Sequence, residues 1–135
     1  MNETGFQLIN IILLESHFER KPIIDFNNLE GNVSLKIGHN QEANKLIVML
    51  ETDFEQKNKN TNEIEVKAII KMISEFQFEG VTSVSVTDFA NVNAPAIIFP
   101  FVREHLANLS MRAGMPTIWL QPINFVRLSE ESKNK

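Results

Sequence analysis

Residues 94–116 read APAIIFPFVREHLANLSMRAGMP, and they determine the architecture of the second half of the chain. Apolar side chains recur there every three or four residues, a spacing that predicts an amphipathic α-helix. Asn93 is predicted to cap this helix and Pro95 suits its first turn, whereas Gly114 ends it. Pro100 has no backbone N–H and is therefore expected to kink or break the early turns. The apolar stripe consists of Ile98, Val102, Leu106, Leu109 and Ala113.

The chain downstream of this helix is predicted to be extended at first and helical again near its end. Residues 118–122 are bracketed by prolines, which favour extended backbone. Asn124 is placed to cap a short final helix that runs through Ser129. Residues 129–135 are mostly polar and are predicted to end in a frayed tail.

The first half of the chain alternates between apolar and polar residues instead. Residues 64–78 place most apolar side chains at even positions and most charged ones at odd positions, which predicts a long strand with one apolar face. Residues 46–55 and 33–37 repeat this pattern. The polar stretch 56–62 lies between two of these segments and is therefore predicted to be a hairpin tip.

The earliest predicted strand, residues 6–18, is apolar on both faces and therefore needs cover on both sides. One layer of helices covers one face of a sheet, so the other face is expected to meet a second subunit. Four strands followed by helices predict an α+β layer architecture. The residues predicted at the subunit interface are Leu8, Ile9, Ile11 and Leu13 in the strand and Ile98, Val102, Leu106 and Leu109 in the long helix.

The composition of the 135-residue chain excludes several classes of protein. A formal net charge of −4 argues against a basic face for nucleic acid, and the lack of Cys removes disulfides, zinc thiolate sites and thiol nucleophiles. No stretch has the length and apolarity of a membrane span or the flanks of a signal peptide, so a single cytoplasmic domain over residues 1–135 is expected. Ten Phe, one Trp and no Tyr favour apolar contacts over proton chemistry.

The sequence carries no pattern that predicts catalysis. His17, His39 and His105 are far apart and lack the spacing of metal ligands. Glycine-rich phosphate loops and nucleophile motifs are also absent, so no cofactor, metal or catalytic residue is expected. The acidic side chains within residues 51–55 share one strand face, where they form either a solvated surface or a docking surface for a basic partner.

Three motifs follow one another in the second half of the chain. Residues 97–105 read IIFPFVREH, residues 113–116 read AGMP and residues 120–125 read LQPINF. This series resembles the SecB protein-export chaperone family, which has a helix with an (I/L)LFP(Y/F)xRE pattern, then a break at Gly and Pro, then LxPxNF. The resemblance is most specific over residues 94–125 and extends more weakly over nearly the whole chain.

This resemblance implies a four-stranded antiparallel sheet with a crossover loop, backed by two helices, and a homotetramer built as a dimer of dimers. It also implies an ATP-independent holdase that binds unfolded preproteins in apolar grooves and delivers them to the SecA motor. A groove lined by aromatic side chains binds such clients without reading their sequence. The predicted client-binding residues are Phe26, Leu29, Phe78, Trp119 and Phe125.

Two features depart from the family pattern. The family's crossover loop usually carries a Trp, whereas this chain has Phe26 there and its single Trp119 elsewhere. Family members dock SecA on an acidic outer sheet face, which Glu15 and Glu19 match. Residues 67–69, however, read KAI where another acid is expected, which weakens the expectation of SecA docking.

Two other hypotheses remain beside the export chaperone. The first is a SecB-like chaperone that is dedicated to an antitoxin in a toxin–antitoxin module. The second is a hot-dog-like acyl-thioesterase, which the length and the mixture of strands and helices permit. The order of elements argues against the thioesterase, because the long hot-dog helix precedes most strands, whereas the helix predicted here follows them.

Overall fold

The computed structural model describes residues 4–133 and contains one four-stranded sheet with helices on one of its faces. The strands are β1 Phe6–Arg20, β2 Leu29–Glu42, β3 Lys45–Asn58 and β4 Ile64–Phe78, and the helices are α1 Val86–Asp88, α2 Ala94–Arg112 and α3 Phe125–Lys133. The spatial order is β1-β4-β3-β2, and every neighbouring pair is antiparallel. The predicted α+β fold with a crossover loop is confirmed, and the long helix follows all four strands, unlike a hot-dog fold.

The connections between strands explain this order. Residues 21–28 cross from β1 at one edge of the sheet to β2 at the other, and they include a 3₁₀ turn at Phe26–Asn28. The crossover is shorter than the sequence pattern predicts, because β2 begins at Leu29 and not at residue 33. The β3–β4 hairpin has a polar tip at residues 59–63, where the Asn58 Oδ1 accepts hydrogen bonds from the backbone N–H groups of Asn60 and Thr61 at 2.8 and 3.2 Å.

The helical region begins earlier than predicted. The Ser85 Oγ caps α1 by accepting a hydrogen bond from the Asp88 N–H at 3.1 Å, and one π-helical turn, Phe89–Asn93, leads into α2. Asn93 has helical backbone angles and makes no side-chain cap, so its prediction as the N-cap is wrong. The upstream turns are helical because they bury Phe89 and Ala90 in the core.

Pro100 does not break α2, so of the two predicted outcomes, a kink or a break, the break is wrong. The helix runs without interruption from Ala94 to Arg112. Pro100 and the residue one turn earlier, Ala96, are both exposed. The carbonyl that loses its N–H donor therefore lies on the solvent side, where it costs less than it would in the core.

The apolar stripe of α2 packs against the sheet of its own chain. Ile98, Val102 and Leu106 are 0% exposed, and they pack against buried β3 and β4 side chains. Leu109 is partly buried against the same core. The prediction that Ile98, Val102 and Leu106 form a subunit interface is therefore corrected, because these side chains are already buried within one chain. The prediction for Leu109 stays a prediction, since this side chain is only partly buried.

The β1 edge leaves apolar side chains uncovered on both faces. Leu8, Ile9 and Leu13 are more than 40% exposed, and Ile11 is half-buried against the core. Irregularities in the β1–β4 pairing near Ile9 and Leu14 shift the alternation along this strand. The strand half of the predicted interface is thus available for contact with another subunit.

The last helix is longer than predicted. The Asn124 Oδ1 accepts a hydrogen bond from the Arg127 N–H at 3.1 Å, which confirms Asn124 as the cap of α3. The helix continues to Lys133, so the predicted frayed tail at 129–135 is wrong over residues 129–133, and residues 134–135 lie outside the described part of the chain.

Candidate functional site

An open apolar groove lies at one end of the sheet, between the start of β2 and the segment that follows α2. Its volume is about 500 Å³. Phe26, Leu29 and Val33 form one wall, and residues 115–123 form the other. The ring of Phe54 on β3 lies at the base and is only 6% exposed. The shape and the apolar walls suit an extended polypeptide better than a compact polar ligand.

Residues 115–123 are held rigidly although they form neither helix nor strand. Gly114 adopts a positive φ of 67° at the end of α2, which turns the chain back. The Ser110 hydroxyl donates to the Ala107 carbonyl at 2.8 Å and accepts from the Ile118 N–H at 2.9 Å. The Arg103 Nε donates to the Leu120 carbonyl at 2.8 Å. These bonds fix the segment against α2 and keep one wall of the groove in place.

The side chains of this segment alternate between the core and the groove rim. Ile118 and Leu120 are buried, whereas Trp119 between them is 64% exposed. Trp119 also borders a second apolar depression of about 240 Å³ on α2, next to Ala107 and Met111. The indole therefore stands between two depressions that a long segment could occupy together.

Arg20 at the end of β1 holds the crossover segment in position. Its Nη1 donates to the Ala113 carbonyl at 2.8 Å, its Nη2 donates to the Pro22 carbonyl at 3.1 Å, and its Nε donates to the Lys21 carbonyl at 2.9 Å. The guanidinium lies 5.4 Å from the centre of the Phe26 ring. One side chain thus joins the crossover to the end of α2 and positions the aromatic ring at the groove.

The structure brings together three of the five predicted client-binding residues. Phe26, Leu29 and Trp119 all line the groove. Phe78 lies at the other end of the sheet, where its ring centre is 5.0 Å from that of Phe6. Phe125 is buried edge-on against Phe99 at 5.8 Å. Phe78 and Phe125 therefore do not line this groove.

Several groove residues were not predicted from the sequence. Val33 and Ile123 fit the strand and core patterns equally well, so nothing in the sequence separates a groove wall from an ordinary core position. Arg20 and Ser110 were also not predicted. The Ala113 carbonyl that Arg20 contacts is distant in sequence, and the bond between Ser110 and the Ile118 N–H depends on how the chain turns after α2. The polar residue Gln56 also lines the groove, and its Oε1 is buried without a hydrogen-bond partner among the described residues.

The outer face of the sheet, opposite the helices, carries charges of both signs. The Lys71 ammonium lies 3.3 Å from Glu51 and 3.7 Å from Glu15. The hydrogen bond that the Lys71 ammonium donates to Glu51, followed by the charge of Glu15, raises the pKa of Lys71 above its usual value. Glu19 lies 3.5 Å from the imidazole of His17. The predicted docking residues Glu15 and Glu19 are thus exposed, and the Lys71 ammonium offsets part of the negative charge of Glu15 and Glu51.

Within residues 4–133, no cluster of three or more His, Asp or Glu is arranged to hold a metal ion. No helix in that part of the chain has both the length and the apolarity to cross a bilayer. His105 on α2 is hydrogen-bonded to β1, with its Nε2 2.7 Å from the Ser16 Oγ.

A four-stranded sheet with one long and one short helix and an apolar groove defines the SecB-like class of chaperone fold. The solved SecB-like chaperone of Mycobacterium tuberculosis, in complex with a ChAD peptide from the HigA1 antitoxin, superposes with a TM-score of 0.79. It is 14% identical in sequence, and the match covers 89% of this chain and 91% of that one. Residues 15–135 match the family model of SecB, described as preprotein translocase subunit SecB. The chain therefore belongs to the SecB family.

Bacterial protein-export proteins SecB are similar in sequence at moderate identity. The protein of Pseudomonas fluorescens strain SBW25 is 28% identical over 129 residues, which cover 89% of this chain and 77% of that protein. The protein of Bartonella bacilliformis is 24% identical over 123 residues, which cover 87% and 72%. That of Methylobacillus flagellatus is 35% identical over 60 residues, which cover 44% of this chain and 38% of that protein.

Proposed function

We propose that this protein is a holdase chaperone that binds non-native, extended polypeptides in the groove between β2 and residues 115–123. The observation that carries the proposal is an open apolar groove in a SecB-family chain, with Phe26 38% exposed and Trp119 64% exposed at its rim. When a client covers aromatic side chains that are exposed to water at the edge of a groove, the free energy of the system falls. The proposed activity is therefore binding rather than catalysis, and it needs no nucleotide or metal.

The expected energetics are those of weak contacts repeated along a client. Each large apolar side chain that becomes buried contributes about 1.5–3 kcal/mol, and part of this is lost in ordering the client. A single groove of about 500 Å³ holds few side chains, so one site alone binds modestly. Several grooves in one oligomer that engage the same chain raise the overall affinity.

We propose a homotetramer, a dimer of dimers in the cytoplasm, in which β1 forms one of the contacts. Ile9, Leu13 and Leu14 are exposed on an edge strand whose outer backbone groups have no strand partner in the described chain. An edge of this kind favours association with another subunit. Light scattering on the native protein, compared with Leu13→Lys, tests this assembly; a native protein that is monomeric at micromolar concentration contradicts it.

The central experiment measures suppression of aggregation of an unfolded, apolar client. The double substitution Phe26→Ser with Leu29→Ser removes one wall of the groove, and Trp119→Ser removes the rim on the other side. Both variants are expected to lose most protection and to remain folded, because these side chains lie at the rim. The control is Val81→Ser, which removes an apolar side chain that is 99% exposed away from the groove. Full protection by both folded groove variants would exclude this groove as the client site.

The proposed function includes delivery of clients to SecA, and for this step the structure favours a specific alternative. Glu15 and Glu19 are available for a basic surface of SecA, yet Lys71 lies within 4 Å of both Glu15 and Glu51. This compensated face favours a second candidate: a chaperone dedicated to one client, such as an antitoxin. Titration of purified SecA against the wild type and Glu15→Lys with Glu19→Lys separates the two. Binding that the double substitution weakens supports delivery, and no binding by the wild type supports the dedicated chaperone.

A further inference from the structure

Gly31 occupies the interior of an edge strand although its local structure does not require glycine. The pairing of β2 with β3 is regular at Gly31, and its φ is not among the positive values in the described chain. A Cβ atom built at Gly31 would lie 3.5 Å from the nearest Phe54 ring atom, which is ordinary van der Waals contact. Glycine weakens a strand, and where no bulge explains it, it often marks the close approach of a ligand.

Gly31 lines the groove, so a ligand that approaches the β2 backbone closely would do so inside the groove. Leu29 and Val33 are the neighbours two residues away on the same face of β2, so their side chains stand on either side of Gly31. The nearest atoms to the missing side chain are Cε1 and Cζ of Phe54. The result is a notch with two aliphatic walls, an aromatic floor and the Gln56 side chain opposite Gly31, whose Cγ would lie 3.9 Å from a Cβ atom there.

The chemistry of the lining determines which side chain fits the notch. Among the described residues that line the groove, none carries a charge. A charged client side chain would lose hydration there without gaining a counter-ion, whereas an aliphatic or aromatic one would replace water over the Phe54 ring.

We propose that the notch at Gly31 is a specificity subsite that receives one large apolar side chain, of Leu or Phe size, from an extended client. This inference rests on the proposed function, because it assumes that clients occupy the groove. Gly31 acts by its lack of a side chain: any larger residue would fill the space that the client's side chain needs. The subsite makes this part of the groove select by size and apolarity and not by sequence.

The test measures binding of a set of short, Trp-free extended peptides that differ only in one central guest residue, Ala, Leu, Phe or Glu. Trp119 is the single Trp of the chain and lines the groove, so its fluorescence reports occupancy. The wild type is expected to bind the Leu and Phe peptides about tenfold more tightly than the Ala peptide, as burial of one large side chain implies. The Glu peptide is expected to bind more weakly than the Ala peptide.

The decisive variant is Gly31→Val, with Gly38→Val as its matched control. Gly38 lies on the same strand opposite Met49, on the outer face, and a Cβ atom there meets only the Met49 Cε at 3.6 Å. A β-branched residue suits an edge strand, so both variants are expected to fold, which thermal unfolding checks. Gly31→Val should reduce the preference for Leu and Phe over Ala to less than about threefold, whereas Gly38→Val should leave it unchanged.

The outcomes separate this inference from the proposed function. A folded Gly31→Val that keeps the tenfold preference overturns the subsite and leaves groove binding intact. A wild type that binds all peptides equally also overturns the subsite alone. A wild type that binds no peptide and does not suppress aggregation overturns both proposals.

Discussion

Aromatic side chains gather at both ends of the sheet, but they are covered at one end and open at the other. At the closed end, Phe89 stacks on Phe6 with ring centres 3.9 Å apart and meets Phe76 edge-on at 4.9 Å. At the open end, Phe26 and Trp119 remain exposed around a groove. The backbone next to each set accounts for the difference: a π-helical turn presses Phe89 into the core, whereas an extended segment holds Trp119 outside it. The same residue types thus stabilise the fold at one end and are available to a ligand at the other.

The largest expected effect separates these two ends by stability. Phe89→Ala removes a fully buried ring and should lower the free energy of unfolding by about 3–5 kcal/mol. Trp119→Ala removes a larger side chain that is mostly exposed, so the free energy of unfolding should change by less than about 1 kcal/mol. Chemical denaturation followed by circular dichroism measures both. Equal losses in the two variants would show that the open end is part of the core.

A second prediction concerns the anchor of the open end. Arg20→Gln removes the hydrogen bonds from the guanidinium to the Ala113 and Pro22 carbonyls and its contact with Phe26. The free energy of unfolding should fall by about 1–3 kcal/mol, since hydrogen bonds of charged groups are lost. Peptide binding should weaken as well, because the groove wall loosens. Arg127→Gln is the control: its ion pair with Glu131 is exposed, so its loss should cost less than about 0.5 kcal/mol.

The third prediction concerns how the free energy of unfolding depends on pH. The effect arises at His105, between α2 and β1, and not at either aromatic end of the sheet. His105 on α2 contacts Ser16 on β1, and burial, followed by the charge of Arg112, lowers its pKa below 6.5 in the folded protein. The unfolded chain then binds a proton more readily than the folded one. Stability should therefore be fully retained above pH 6.5 and should decrease as the pH falls from there through the folded-state pKa. His105→Gln should reduce this slope, and an unchanged slope in that variant would assign the effect to other groups.

The smallest expected effect is at the turn between β2 and β3, near the closed end. Ala43 has a φ of 51°, a region that L-residues with a Cβ avoid. Ala43→Gly should therefore raise the free energy of unfolding by up to about 1 kcal/mol, after the entropy cost of glycine. Asn62, with a φ of 62°, is the matched case, and Asn62→Gly should gain less because Asn tolerates this conformation better. A loss of stability in Ala43→Gly would contradict the strain argument.

The strands and the long helix were predictable because burial on one face imposes a period on the sequence. Residues 64–78 alternate since β4 has one face in the core, and the Ile98–Leu106 stripe repeats every four residues for the same reason. Asn93 was misassigned because a good capping residue is not distinguishable in sequence from a polar residue within a longer helix. Its helical conformation depends on the burial of Phe89, a contact with distant strands.

The candidate site was predictable only in part. Phe26, Leu29 and Trp119 could be selected because they are apolar residues in or beside irregular segments. Phe125 follows the same logic and yet is buried, because α3 folds it against Phe99. The role of Arg20 could not be predicted, since its acceptors are carbonyls, which every residue carries. Position in sequence indicates where a groove wall begins, but only tertiary packing decides which side chains remain open.

The lack of charged side chains in the groove has a thermal consequence. Binding that consists mainly of the removal of apolar surface from water carries a negative change in heat capacity, and it weakens on cooling. Screening of charges by salt alters such binding little, because no ion pair in the groove is available to be screened. Under the proposed function, a client in this groove is therefore expected to be retained more firmly at a warm growth temperature than in the cold, at any ordinary ionic strength.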